Sequence, residues 1–160
     1  MGQAQEITDD QHERALVLVV EDDPDIRKIL EIFLTEKGFR VKVAEGGPHA
    51  LEVLAEEPID LILSDVRMPG MTGLELLCHL KERDPEIQLV LMSAYSSVKD
   101  AVEAIRLGAA DYVEKPIDFR RLERVLHTVF EKRQLQHRTR ILEQRLQGCV
   151  NFEEIGRAHV

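Results

Sequence analysis

The 160-residue chain is 44% hydrophobic and 32% charged, the composition of an ordinary globular protein with about one domain and a core of its own. Its two cysteines, Cys78 and Cys149, are too far apart to suggest a disulfide framework or a zinc pattern, and no apolar run approaches a membrane span. The net charge of −9 is uneven: residues 1–119 carry 12 basic and 25 acidic side chains, whereas residues 120–147 carry 8 and 3, so an acidic body that would repel nucleic acid precedes a basic helix.

Residues 1–14 are polar and without period, and they read as a disordered leader. Leu16-Val17-Leu18-Val19-Val20 is an unbroken apolar run, the pattern of a strand buried on both faces. It ends in Glu21-Asp22-Asp23-Pro24, where Asp23 can cap a helix that has Pro24 in its first turn. Ile26, Ile29, Leu30, Phe33 and Leu34 form one face of that helix, and Gly38 ends it. The cycle then repeats. Strands are expected at Phe39–Ala44, Ile59–Ser64, Ile87–Met92 and Ala110–Val113. Helices are expected at Ala50–Ala55, through Leu74, Leu77 and Leu80, on Val98, Ala101, Val102 and Ile105, and on Leu122, Val125, Leu126 and Val129. Cys78 reads as a reduced core residue of the third helix. Five strand–helix units with short connections predict an α/β fold, a doubly wound five-stranded parallel sheet of flavodoxin-like order 2-1-3-4-5 with an extended C-terminal helix.

Four of these strands end in side chains with chemistry. Glu21 and Asp22 follow the first, Asp65 the third, Ser93 the fourth and Lys115 the fifth. In this strand order the first and third strands flank the point where the winding reverses, and ligands bind there. Three carboxylates in one crevice repel one another and invite a cation, for which Mg²⁺ is the best fit because it tolerates few protein ligands and accepts phosphate oxygens. A carboxylate can also attack phosphorus to give an aspartyl phosphate. Lys115 would supply charge to the phosphoryl oxygens and Ser93 a hydroxyl. Asp23 is better placed as a cap than as a ligand, and the six histidines form no ligand-spaced group.

The stretches Val19-Val20-Glu21-Asp22-Asp23-Pro24, Ser64-Asp65-Val66-Arg67-Met68-Pro69-Gly70-Met71-Thr72-Gly73, Met92-Ser93-Ala94-Tyr95 and Asp111-Tyr112-Val113-Glu114-Lys115-Pro116 together resemble the receiver domain of bacterial two-component response regulators, most like those of enhancer-binding (AAA+) transcriptional activators. The resemblance covers about residues 15–130. It implies Asp65 as phosphoacceptor, Asp22 as direct Mg²⁺ ligand, Glu21 as the outer acid of the metal site, and the backbone carbonyl of Arg67 as a further ligand. It implies Ser93 and Tyr112 as a switch pair, Lys115 as the phosphoryl-binding cation, and a cis Lys115–Pro116 bond. Tyr112 read alone is equally an ordinary strand aromatic. The donor would be a sensor histidine kinase or phosphotransfer protein, and the location cytoplasmic, with no membrane and no nucleic acid bound by the receiver itself. An Asp-nucleophile, Mg²⁺-dependent phosphatase of the haloacid-dehalogenase type is disfavoured, because Glu21-Asp22-Asp23 lacks its Asp-x-Asp pattern. A partner-binding domain without phosphate chemistry is disfavoured by the complete set of site residues.

No Gly or Pro interrupts residues 117–147. Residues 131–148 read as a linker helix in which Leu135, Leu142 and Cys149 recur at seven, with Thr139 and Leu146 between, so a coiled-coil homodimer and a solvated helix are both consistent with the pattern. Residues 149–160 read either as the start of a truncated output domain, since Asn151–Gly156 resembles the entry to an AAA+ module, or as an artefact, since Glu154–Val160 matches a translated sequencing adapter. A stand-alone regulator acting by protein contact is the alternative.

Overall fold

The strands of the structure are the apolar runs of the sequence, the first as expected and the other four beginning one or two residues later. The computed structural model describes residues 15–94 and 97–158, with the backbone alone for 148–158. In order the elements are β1 (Leu16–Val20), α1 (Pro24–Glu36), β2 (Arg40–Ala44), α2 (Gly47–Glu56), β3 (Leu61–Asp65), α3 (Gly73–Arg83), β4 (Leu89–Ser93), α4 (Val98–Arg106), β5 (Asp111–Glu114) and α5 (Phe119–Ala158). The leader, Tyr95 and the side chain of Cys149 lie outside the described residues.

All pairings are parallel, in the order β2-β1-β3-β4-β5. β1, β3 and β4 are buried along their whole length, which is why their sequences are continuously apolar rather than alternating. β2, at the sheet edge, alternates between exposed and half-buried positions. Leu18, Val20, Ile62 and Leu91 form one core with Ala50 of α2, Leu76, Leu77 and Leu80 of α3, and Ala104 of α4. Val17, Val19, Leu63, Val90 and Met92 form the other with Leu30 and Leu34 of α1 and Leu122, Leu126, Val129 and Phe130 of α5. Each such leucine contributes about 1.5–3 kcal/mol of burial. Helices on both faces make this the doubly wound sheet expected.

Three side-chain placements correct the sequence reading. Cys78 is exposed, not a core residue, because α3 turns Leu76, Leu77 and Leu80 inward and leaves the intervening position outside. On α4 most of the expected apolar face is turned out: Val98, Val102 and Ile105 are 83%, 52% and 49% exposed, while Ala101 packs half-buried against the core beside the buried Ala104. Small alanines let α4 lie close to the sheet, and packing overrides the broader stripe. Ile29 of α1 is likewise exposed, and the buried residues of that helix are Leu30 and Leu34.

The α1 cap is as expected. The Asp23 carboxylate accepts from the N–H groups of Asp25 and Ile26 at 2.9 and 3.4 Å. Asp23→Ala is expected to cost about 1 kcal/mol in urea denaturation through loss of the cap.

α5 passes residue 130 without a break. Beyond it, Arg133 meets Asp60 at 3.5 Å, Gln136 receives the Gln88 side-chain amide at 3.1 Å, and Arg140 pairs with Glu86. These contacts run along the amino edge of the sheet, where Asp60 also accepts the Leu16 N–H at 2.8 Å.

Candidate functional site

The parallel sheet carries the ends of β1, β3, β4 and β5 to one edge. Register places Val20 beside Ser64, Asp65 beside Met92 and Ser93 beside Glu114, so the residue after β1, the last of β3, the last of β4 and the one after β5 converge. Backbone bonds pin these ends. The Glu21 N–H donates to Ala44 at 3.1 Å, that of Val66 to Met92 at 2.9 Å and that of Lys115 to Ser93 at 2.9 Å. The Lys115–Pro116 bond is cis.

Glu21, Asp22 and Asp65 each offer a carboxylate oxygen, and all of these lie within 4.8 Å of one another. Glu21 and Asp65 are buried whereas Asp22 is exposed. The Lys115 ammonium enters from the β5 side, 2.7 Å from Glu21 Oε2 and 3.2 Å from Asp65 Oδ2. Glu21 is held from two further directions: its Oε1 accepts the Asp23 N–H at 3.2 Å, and the Arg27 guanidinium donates to its backbone carbonyl at 2.8 Å. Burial pushes the Glu21 carboxyl up to about 7, opposed by the Lys115 hydrogen bond and reinforced by the Asp65 charge. Burial draws the Lys115 ammonium down, but its bond to Glu21 and the charges of Asp65 and Glu21 outweigh this and raise it.

Three carboxylates gathered in one crevice, with burial raising that of Glu21, are a fit for a divalent cation with hard oxygen preferences, and Mg²⁺ suits the donor set. Because Glu21 titrates at about 7 in the folded chain against 4.5 normally, the folded state holds that proton more tightly. Its contribution to stability is complete below the ordinary value and is lost as pH rises through about 7. In EDTA, urea unfolding from pH 5 to pH 8 is therefore expected to show wild type losing stability relative to Glu21→Gln, and saturating Mg²⁺ should reverse the difference. A wild-type slope no steeper than that of the variant would contradict this.

Ser93 is buried at the end of β4. Tyr112 is 8% exposed, in the core cluster that also holds Leu91 and Ala104. Arg67 lies in the loop after Asp65, with its side chain exposed. Two residues of the site went unnoticed in the sequence reading. Arg27, six residues past Glu21, braces the first acid loop, and a cation one turn into the helix after an acidic loop is the signal that could have marked it. Gly73, read as a helix start, is also a close-approach point: a Cβ there would stand 2.3 Å from the Asp65 carbonyl oxygen.

Residues 17–127 match the response regulator receiver domain. The chain is 36% identical over 135 residues to the response regulator protein PilR of Pseudomonas aeruginosa, covering 84% of this chain and 30% of that protein. It is 45% identical over 114 residues to the transcriptional regulatory protein ZraR of Klebsiella oxytoca, covering 71% and 26%. Among solved structures, NtrX from Brucella abortus in complex with ATP superposes with a TM-score of 0.75 at 32% identity, covering 80% of this chain and 29% of that one. The receiver domain of Francisella response regulator 1452 gives 0.70 at 28%, covering 74% and 98%. The protein belongs to the receiver domain family of two-component response regulators. Such a domain is regulatory in general and implies a histidine kinase as phosphodonor. The chain spans less than a third of the length of the curated relatives named above. Among the described residues no helix is long and apolar enough to cross a membrane.

Proposed function

We propose that Asp65 is the phosphoacceptor of a phosphorelay switch. The observation that carries this reading is the Lys115 ammonium lying within 3.2 Å of Asp65 and 2.7 Å of Glu21, a cation placed beside a strand-end carboxylate. A phosphohistidine of the kinase, or of a phosphotransfer protein, gives up its N–P bond as an Asp65 oxygen forms the new O–P bond. Lys115 and the Ser93 hydroxyl then hold the phosphoryl oxygens. Asp22, Asp65 and the Arg67 carbonyl would hold Mg²⁺, with Glu21 in the outer position, and the bound ion would neutralise the gathering charge.

The added phosphoryl oxygens draw on the Ser93 hydroxyl, and Tyr112, already inside, is locked there; the surface of α4, β5 and the start of α5 is stabilised in one arrangement. The likeness to named transcriptional regulators supports an output in transcription, in the cytoplasm, without nucleic-acid binding by the acidic receiver. The C-terminal helix pairs with a second copy and carries the switch outward.

Incubation with a small acyl phosphate and Mg²⁺, followed by borohydride trapping and peptide mapping, should place the label on Asp65, and EDTA present during the incubation should prevent it. A label on another residue, or one indifferent to EDTA, would overturn the assignment. NMR shifts on adding a phosphate mimic should concentrate in residues 93–118. Shifts confined to the acids would contradict the switch.

A further inference from the structure

We infer that Arg27 is a positioning residue for the metal: by holding the peptide unit that leads into Asp22, it sets the affinity of the acid crevice for Mg²⁺. This rests on the reading above that the acids hold the ion, and it adds the side chain that aims the exposed one.

Glu21 and Asp65 are aimed by their surroundings, since both are buried and both meet the Lys115 ammonium. Asp22 has no such support. Its side chain is exposed and makes no hydrogen bond or ion pair among the described residues, so the backbone alone decides where it points.

That backbone is a loop of three residues between the end of β1 at Val20 and the start of α1 at Pro24. Three successive peptide units cross it, and each is tied by a different group. The Glu21 N–H donates to the Ala44 carbonyl of β2 at 3.1 Å, which holds the unit entering Glu21. The Asp23 N–H donates to Oε1 of Glu21 at 3.2 Å, which holds the unit leaving Asp22. Between them the Glu21 carbonyl accepts from Nη1 of Arg27 at 2.8 Å, and this holds the unit entering Asp22. Peptide units are planar, so fixing the planes on both sides of Asp22 fixes its two backbone torsions and the direction of its Cα–Cβ bond. One of those two planes depends on the Arg27 side chain.

Charge and geometry then pull in opposite directions. Arg27 and Asp22 line one hollow of about 560 Å³, together with Glu45 and His49. A fixed guanidinium there repels an arriving Mg²⁺, so by charge alone its removal would tighten binding. Loss of the hydrogen bond frees the Glu21–Asp22 peptide and weakens binding, as when the outer partner of a metal ligand is deleted. The sign of the change therefore tells positioning from charge. A role confined to the stability of α1 would move neither.

The test is calorimetric titration of the full chain with MgCl₂ at pH 8. Arg27→Met keeps the length and loses the donors, and Met is as good a helix former as Arg, so α1 should survive. The variant should bind Mg²⁺ about tenfold more weakly, and acyl phosphate labelling of Asp65 should need about tenfold more Mg²⁺ for half its maximal rate. Lys28→Met removes a cation from the same turn of α1, one that pairs with Glu31 at 3.7 Å and not with the loop; its Kd should stay within about twofold of wild type. An Arg27→Met Kd equal to or tighter than that of wild type overturns the inference, because the charge then acts and the bond does not. Lys28→Met binding as weakly as Arg27→Met overturns it too, since the effect then belongs to α1 as a whole. Both results leave Asp65 as phosphoacceptor, whereas a wild-type chain that binds no Mg²⁺ removes the metal reading and this inference together.

Discussion

Asp65→Asn is expected to lower labelling by a small phosphodonor by about three orders of magnitude or more, the scale seen when a nucleophile is removed from an otherwise intact site. The amide retains the shape and can still accept from Lys115, so the fold should survive. The electrostatics give a way to check this. The Asp65 charge is one cause of the raised Glu21 carboxyl, so removing it relieves Glu21. In EDTA at pH 8 the Asn variant should therefore be at least as stable as wild type in urea denaturation, which separates loss of the nucleophile from loss of structure. Asp22→Ala should also block labelling, through the metal, and excess Mg²⁺ should recover part of it if Asp65 and Glu21 still hold the ion. Asp23→Ala, one residue on, should label at the wild-type rate despite its weakened cap. Undiminished labelling of the Asn variant would remove Asp65 from the role.

What could be read from the sequence divides along a physical line. The central strands were legible because burial on both faces leaves an unbroken run such as Leu16–Val20, which no other element in a chain of this size requires. The site was legible because Glu21, Asp22, Asp65, Ser93 and Lys115 sit where such runs stop, and a parallel sheet carries all those ends to one edge. Helix faces were less legible. The stripe of Val98, Val102 and Ile105 is a good amphipathic pattern, yet the sheet takes Ala104, because the choice depends on how near the helix axis can come, which its own sequence does not encode. Cys78 failed for a related reason: its neighbours Leu76 and Leu77 fill the interior and turn it outward. The amino-edge contacts of Arg133, Gln136 and Arg140 were invisible, since their partners Asp60, Gln88 and Glu86 lie roughly 50–70 residues earlier in the chain and carry no local signal. The basic excess of α5 is in part consumed by these contacts, since Arg133 and Arg140 pair with Asp60 and Glu86.

Gly73→Ala is expected to destabilise the domain by about 2–3 kcal/mol and to slow labelling of Asp65. The sign needs deciding, because alanine is the better helix residue and would by itself favour α3 by up to about 1 kcal/mol. Space decides it. A Cβ at Gly73 would lie 2.3 Å from the Asp65 carbonyl oxygen, 3.1 Å from its carbonyl carbon and 2.9 Å from Cδ2 of Leu91. The leucine methyl can rotate away. The backbone cannot, because the Val66 N–H that follows it is bonded to Met92 at 2.9 Å, and the Gly73 N–H is itself bonded to the Val66 carbonyl at 2.8 Å. The helix start and the end of β3 must therefore move apart, and the Asp65 carboxylate moves with its main chain, away from a Lys115 ammonium now 3.2 Å from it. The damage should register in both stability and reactivity. Denaturation should show a lowered midpoint with an unchanged slope, and acyl phosphate labelling should fall about tenfold while a well-folded variant at Gly46, where a Cβ meets nothing within 4 Å, labels normally. A Gly73→Ala protein as stable as wild type would mean that the β3–α3 loop yields, and that the close approach of Gly73 does not position the phosphoacceptor.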